Sequence, residues 1–280
     1  MTTISAKVIA DSVNGHGDRL TTMQLRYPRF IHAEFMTHRQ FSRNASSSRA
    51  VPVARLITDI IKDPATPLHW GKNQKGMQAD EECDTLITGV QSDGKHVAVS
   101  NKQAWLMAME CAIEFARSFD EAGYHKQIVN RLLEPFSHIN VIVSATEWSN
   151  FFALRLHKDA EPHMRMLAEE MLKAMEESVP REAGLNYIHA PYAGDLTLQQ
   201  DKLPASVARC ARVSYLTHDG KEPDLESDKA LALKLIGSHP LHASPAEHQA
   251  WPDDRRESKS MWGNFTGWIQ YRKTLPGECQ

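Results

Sequence analysis

Residues 37–49, T-H-R-Q-F-S-R-N-A-S-S-S-R, carry the densest set of groups able to hold an anion. Between positions 26 and 55 six arginines and two histidines stand against a single acid, Glu34, in a chain of net charge -3. The excess of positive charge is therefore local. Ser46, Ser47 and Ser48 run straight into Arg49, placing hydroxyls beside fixed guanidinium charges. Arginine offers phosphate a rigid bidentate fork, and serine adds neutral donors. The same composition also suits an ordinary basic surface loop.

Two other arginines interrupt apolar runs. Arg131 sits among Ile128, Val129, Leu132 and Leu133, and Arg155 closes N-F-F-A-L-R at 150–155. A buried guanidinium without a partner is costly, so each calls for a carboxylate or a ligand. The stretch H-P-L-H-A-S-P-A-E-H at 239–248 brings three histidines, a serine and a glutamate together. Pro240 and Pro245 break any helical i,i+4 face there and no cysteine lies nearby, so no metal site is expected.

The elements that must position these groups follow from pattern. Residues 4–10 and about 19–36 read as a strand, a glycine-containing turn, and a strand that bends at Pro28 into a helix. Residues 63–100 are rich in Pro, Gly, Asp and Lys with little periodicity, a long excursion and a candidate lid. Trp105, Met109, Ala112, Ile113 and Ala116 recur at helical spacing over 102–119, and a second helix is expected over 125–134, ended by Pro135. I-N-V-I-V-S-A-T at 139–146 is strand-like. Residues 160–177 form an amphipathic helix with Met164, Leu167, Ala168, Met171, Leu172 and Met175 inward. S-V-A-R-C-A-R-V-S-Y at 206–215 fits a helix or a strand, and 228–236 a short helix ended by Gly237. The aromatic tail, 262–273, reads as a C-terminal strand packed on the core.

At 280 residues and 41% hydrophobic content the chain can bury a substantial core. Its negative net charge argues against a general nucleic-acid binder. Four cysteines without CxxC spacing point to a reducing compartment rather than a disulfide framework. No charged-then-apolar leader opens the sequence and no apolar run reaches the ~18 residues of a membrane span, which predicts a cytoplasmic protein.

The run His38-Arg39, seven residues, Ser47, followed by Arg49, resembles the R-H-R-x7-S signature of the flavin-dependent thymidylate synthases. N-R-L-L-E-P at 130–135 resembles that family's A-R-x-x-L-P, N-F-F-A-L-R at 150–155 its N-x-F-x-x-L-R, and H-A-S-P-A-E-H at 242–248 its H-x-T/S-P-F-E-H. In the family the last segment and an A-A-R-V-S element, here A-R-V-S at 211–214, precede R-H-R; here they follow it. The resemblance covers about 19–55, 125–178 and 205–250 and implies a circular permutation, which surface termini tolerate.

The fold implied is α/β (α+β) and ThyX-like: a central, mostly antiparallel sheet packed with long helices in permuted order. One domain is expected over 1–280, with an insertion or lid at about 63–100 and an extra C-terminal tail at about 251–280. The resemblance assigns FAD to His38, Arg39, Asn150, His242 and Ser244. It places Glu34, Thr37, Ser47, Ser48, Arg49, Arg131 and Arg155 around dUMP, with Arg49 and Arg131 on the phosphate and Arg155 against the uracil ring as the catalytic residue. NADPH and methylenetetrahydrofolate are the implied co-substrates, dTMP the product, and a homotetramer with shared sites the implied assembly; neither membrane nor nucleic acid is expected as a partner.

Several positions depart from the pattern. Thr37 replaces the first arginine of R-H-R, and Ala45 a usual glutamate. Thr146 falls near a usual arginine, and Asp159 and Glu161 replace a usual His and Gln. These changes leave room for 5-hydroxymethyl-dUMP as product, or for a non-catalytic nucleotide- or nucleic-acid-binding protein on the same fold.

Overall fold

The computed structural model describes residues 2–90, 94–184, 186–213, 221–222 and 224–278. In chain order the elements begin with β1 (Ser5–Val13), β2 (Arg19–Pro28), α1 (His32–Phe35), β3 (Ser42–Ala45), α2 (Val53–Lys62), β4 (Ile87–Val90) and β5 (His96–Val99). Next come α3 (Asn101–Glu121), α4 (Lys126–Val129), β6 (His138–Ala145), α5 (Ser149–Arg155), α6 (Pro162–Glu176) and β7 (Arg181–Glu182). The chain closes with α7 (Gln199–Arg212), α8 (Leu225–Ile236), β8 (Ala250–Pro252) and β9 (Trp268–Gln270).

The central sheet has the order β3-β6-β2-β1-β7. Its β1–β2, β2–β6 and β3–β6 pairs are antiparallel, and only the short β7 runs parallel, beside β1. The architecture is thus mixed α/β with a mostly antiparallel sheet.

Strand alternation sorts the two faces. Met23, Leu25 and Tyr27 of β2 and Ile139, Val141 and Val143 of β6 point one way, into a core closed by Phe35, Phe151 and the Met164, Leu167, Ala168, Met171 stripe of α6. Helix α6 starts cleanly because Pro162 needs no N–H donor there and the Glu161 carboxylate accepts from the Met164 N–H. The opposite face is largely polar, pairing Thr22 with Ser144 and Arg26 with Asn140. It is covered by the later chain: Cys210 and Val213 pack on Ile142, and the Tyr192 hydroxyl donates to Gln24 Oε1 at 2.8 Å.

A second core joins α2, α3, α4 and the turn after α4 through Ile57, Ile60, Met109, Ile113, Leu133 and Phe136. Helix α3 is opened by a reciprocal capping box between Ser100 and Gln103. The helix expected over 125–134 is shorter: α4 ends at Val129 and 3-10 turns carry the chain through Phe136. Asn130 explains the change, because its buried side-chain amide donates to the carbonyls of Ser48 and Val51 at 2.7 and 2.9 Å and fixes the chain there. Arg131 consequently faces outward and finds the carboxylate partner its apolar neighbours call for in Glu134, at 3.2 Å.

The 206–215 segment, open between helix and strand, is helix α7 up to Arg212; Ser214 lies outside the described residues, as does Cys279. Within 63–100 the structure has the β4–β5 hairpin and little other regular structure. The tail supplies β9, which pairs with β8, and buries Phe265 and Trp268 against Leu20 and Ala250.

Candidate active site

The turn that follows α1 folds back tightly. The Thr37 hydroxyl donates to the Glu34 carbonyl at 2.7 Å and the His38 N–H to the Phe35 carbonyl at 3.3 Å. This projects Thr37, His38 and Arg39 toward the C-terminal end of α5. Phe151 of α5 meets the His38 ring edge-on with centroids 4.8 Å apart, fixing the imidazole plane.

Arg155, the last residue of α5, then reaches both partners. Its Nε donates to His38 Nε2 at 2.9 Å, and its Nη1 forms an ion pair with Glu34. Burial, reinforced by the Arg155 and Arg43 charges, pushes the His38 pKa down to about 4. The imidazole is therefore neutral at pH 7, and accepting a proton at Nε2 requires its own hydrogen on Nδ1. Thr37, Arg39, Glu147, Asn150 and Leu154 continue from this triad around a cleft of about 520 Å³.

A second constellation occupies the other end of β6. Because β3 runs antiparallel to β6, with Ser42 opposite Ser144 and Ala45 opposite Val141, it carries the chain from the cleft to the serine loop. The Ser46 N–H donates to the Asn140 carbonyl at 2.8 Å and the Asn140 N–H to Ser46 Oγ at 3.1 Å. Ser48 donates to Glu134 Oε1 at 2.6 Å. Ser46, Ser47 and Ser48 border a small pocket of about 170 Å³ together with Arg29 and Arg212. Five residues of β6, roughly 16 Å at ~3.3 Å per residue, separate Asn140 at this pocket from Ala145 near the cleft.

The expected site residues thus divide. His38, Arg39 and Asn150 of the flavin set, and Thr37 and Arg155 of the dUMP set, line the cleft, with Glu34 held against it by Arg155. Ser47 and Ser48 line the distant pocket, and Arg131 reaches its edge only through Glu134. Arg49 is exposed and lines neither cavity. His242 and Ser244 line neither as well; Ser244 opens a 3-10 turn that packs against β3.

Sequence reasoning assigned no role to Arg29, Arg43 or Arg212, although Arg212 falls within the A-R-V-S element. Arg29 and Arg43 were counted within the basic stretch but could not be told apart from its exposed members. It also missed a polar chain across the second sheet face. Ser12 Oγ contacts His189 Nδ1 at 2.8 Å, His189 Nε2 contacts Thr22 Oγ1 at 2.8 Å, and Ser144 Oγ links Thr22 to His248 Nδ1 at 2.7 and 2.9 Å. Burial pushes both imidazoles down to about 3.

The family model of the thymidylate synthase complementing proteins matches residues 20–181. The chain belongs to this family. The matched region holds both ends of β6, the 37–49 segment, Arg131 and Arg155. It stops before α7 and the 242–248 segment.

Among solved structures, the UMP/dUMP methylase PolB of Streptomyces cacaoi bound with 5-Br dUMP is 16% identical over 63% of this chain and 91% of its own, with a TM-score of 0.45. The flavin-dependent thymidylate synthase ThyX of Helicobacter pylori, complexed with FAD and dUMP, is 17% identical over 56% and 67%, with a TM-score of 0.37. No curated protein matches the chain. Among the described residues of this family member no helix is long and apolar enough to cross a membrane, and no group of three metal-ligating side chains converges.

Proposed function

We propose that the protein is a flavin-dependent thymidylate synthase, converting dUMP to dTMP with methylenetetrahydrofolate as carbon donor and NADPH-reduced FAD as hydride source. The observation that carries this reading is Arg155 held between His38 and Glu34 at the lip of a donor-lined cleft. A guanidinium fixed at Nε and Nη1 keeps Nη2 for a ligand, and its charge favours the electron-rich form of a uracil ring placed against it. No side chain here is set up as a nucleophile.

The cleft residues fit part of a flavin dinucleotide. Arg39 supplies a cation for its phosphates, Asn150 an amide for polar edges, and Phe151 an apolar wall. When bound, the flavin delivers the reducing equivalents and the protein supplies binding, orientation and electrostatics. His242 and Ser244 would join this site only across subunits. A homotetramer with shared sites accounts for the division of the dUMP residues between opposite ends of β6: Glu34, Thr37 and Arg155 of one protomer would complete the serine loop of another. A permuted chain order accounts for Tyr192, Cys210 and Val213 of the later chain packing over the sheet that 5–28 and 138–145 build.

Thr37 in place of the first motif arginine, with Glu34 offsetting the Arg155 charge, favours a second reading in which water replaces the final hydride and the product is 5-hydroxymethyl-dUMP. Mass spectrometry of the nucleotide after incubation with FAD, NADPH, methylenetetrahydrofolate and dUMP separates the two. A gain of CH2 supports thymidylate synthesis, a gain of CH2O supports hydroxymethylation, and a colourless protein with no product overturns both.

A further inference from the structure

The C-terminal tail lies beyond the family-matched region, 20–181, yet it is bonded to both sides of the cleft. Residues 37–41 supply one wall of that cleft, and residues between 147 and 155 supply the other. Asn264 Nδ2 donates to the Gln40 carbonyl at 2.7 Å, inside the turn that presents His38 and Arg39. Two positions on, the Thr266 N–H donates to Thr146 Oγ1 at 3.0 Å, directly before Glu147. Two residues of chain span at most about 7 Å, so this bridge fixes how far apart its two anchor points stand.

The bridge is itself braced. Gln270 of β9 is buried, and its Nε2 faces three acceptors: the Glu247 carbonyl and Asn264 Oδ1, each at 3.0 Å, and Ser42 Oγ at 3.1 Å. Ser42, the first residue of β3, donates in turn to Asn264 Oδ1 at 3.1 Å. With its oxygen held from two sides, the Asn264 carboxamide aims its NH2 group at Gln40. Gly263 makes the close approach possible at φ +59, because a side chain there would run into the Gln270 amide. A buried polar network whose members satisfy one another is rigid, and precise sites need rigid support of this kind.

We infer that Asn264 is a positioning residue for the cleft: through Gln40 it sets the turn that carries His38 and Arg39, and through Thr266 on Thr146 the same segment sets that turn's distance from α5. The Arg155–His38 contact is then assembled before any ligand arrives. Neither Asn264 nor Thr266 lines the cleft, so both act through the residues they hold. The consequence for cofactor binding rests on the flavin chemistry proposed above; the consequence for His38 does not.

Asn264→Ala and Thr146→Val, each in the full chain beside wild type and Trp262→Phe, test this. Trp262 belongs to the same segment, but its indole N–H donates to Asp253 Oδ2 at 2.7 Å and to neither wall, so its loss weakens the tail and spares the bridge. The readouts are the urea midpoint, the NMR titration of the His38 imidazole, and FAD affinity from quenching of flavin fluorescence. In Asn264→Ala the His38 titration should move up from about 4 toward the ordinary 6.5, as the turn opens to water and draws away from Arg155. FAD affinity should fall by about tenfold, the scale of one hydrogen bond. Thr146→Val, of nearly equal volume, should do the same from the other wall and decides the matter if Asn264→Ala does not fold. Trp262→Phe should lower the urea midpoint and leave both other readouts in place.

An unmoved His38 titration in the bridge variants, or an equal loss of FAD affinity in Trp262→Phe, overturns the positioning role and leaves Asn264 a structural residue. A wild-type protein that binds no FAD, with His38 moved in the bridge variants, keeps the positioning role and sinks the proposed function. FAD binding and turnover with His38 unmoved does the reverse.

Discussion

Arg155 donates its Nε proton to His38 Nε2 across 2.9 Å, tying the end of α5 to the turn after α1. Two motifs more than a hundred residues apart in sequence thereby become one site. Arg155→Ala should fold and keep its flavin while kcat/KM for dUMP falls by about a hundred- to a thousandfold, the scale of losing one preorganised electrostatic contact. Steady-state kinetics beside the flavin absorbance ratio decide it, and unchanged turnover removes Arg155 from the chemistry.

The same contact has a pH consequence. The folded pKa of His38, about 4, lies below the ordinary 6.5, so the neutral acceptor persists well into acid and the clamp opens only as pH falls through about 4. NMR of the imidazole should show a single neutral Nδ1–H tautomer from pH 8 to 5. An imidazolium signal at pH 6 would contradict the arrangement.

His189 and His248 couple stability to pH more strongly. Their pKa values, about 3 when folded against 6.5 in an ordinary histidine, mean that only the unfolded chain takes up protons between those limits. Stability from this source is complete above pH 6.5 and declines as pH falls toward 3, by about 1.4 kcal/mol per pH unit for each imidazole. Urea midpoints at pH 7.5, 6 and 5 should decrease in that order; a flat series would mean that the pair is not buried neutral.

Asp228 is fully buried between Arg209 and Arg212. Asp228→Asn leaves Arg212 without its counter-charge and Arg209 with the exposed Asp195 at 3.9 Å, and should cost about 3–5 kcal/mol in denaturant unfolding. A loss below about 1 kcal/mol would show that water or another acid reaches the pair.

Trp268 is completely buried, and its indole N–H donates to the Asp18 carbonyl at 3.1 Å. Trp268→Ala should cost about 3–5 kcal/mol through the cavity it leaves, making the tail part of the folding unit. Thermal unfolding at an unchanged midpoint would instead mark the tail as an appendage.

The sequence by itself determined the local elements whose pattern is strong. Alternation in 19–28 and 139–145 and the 3.6-residue stripe of 162–176 each bury one face, and those faces can meet only in a sheet-on-helix core. It also determined the family, because motif spacing is a property of the chain. The extent of α4 was not legible: the Asn130 amide bonds to carbonyls of a loop about eighty residues earlier, which no local pattern announces.

Only the tertiary structure decided which arginines matter where. Arg29, Arg49 and Arg131 are chemically identical in sequence, yet one is half-buried among neutral acceptors, one is exposed, and one pairs with Glu134 at the surface. Charge acts through distance and solvent, and both are fixed by long-range packing. The course of β3 beside β6 sends Thr37 and Ser47, ten positions apart in the chain, to opposite ends of the sheet.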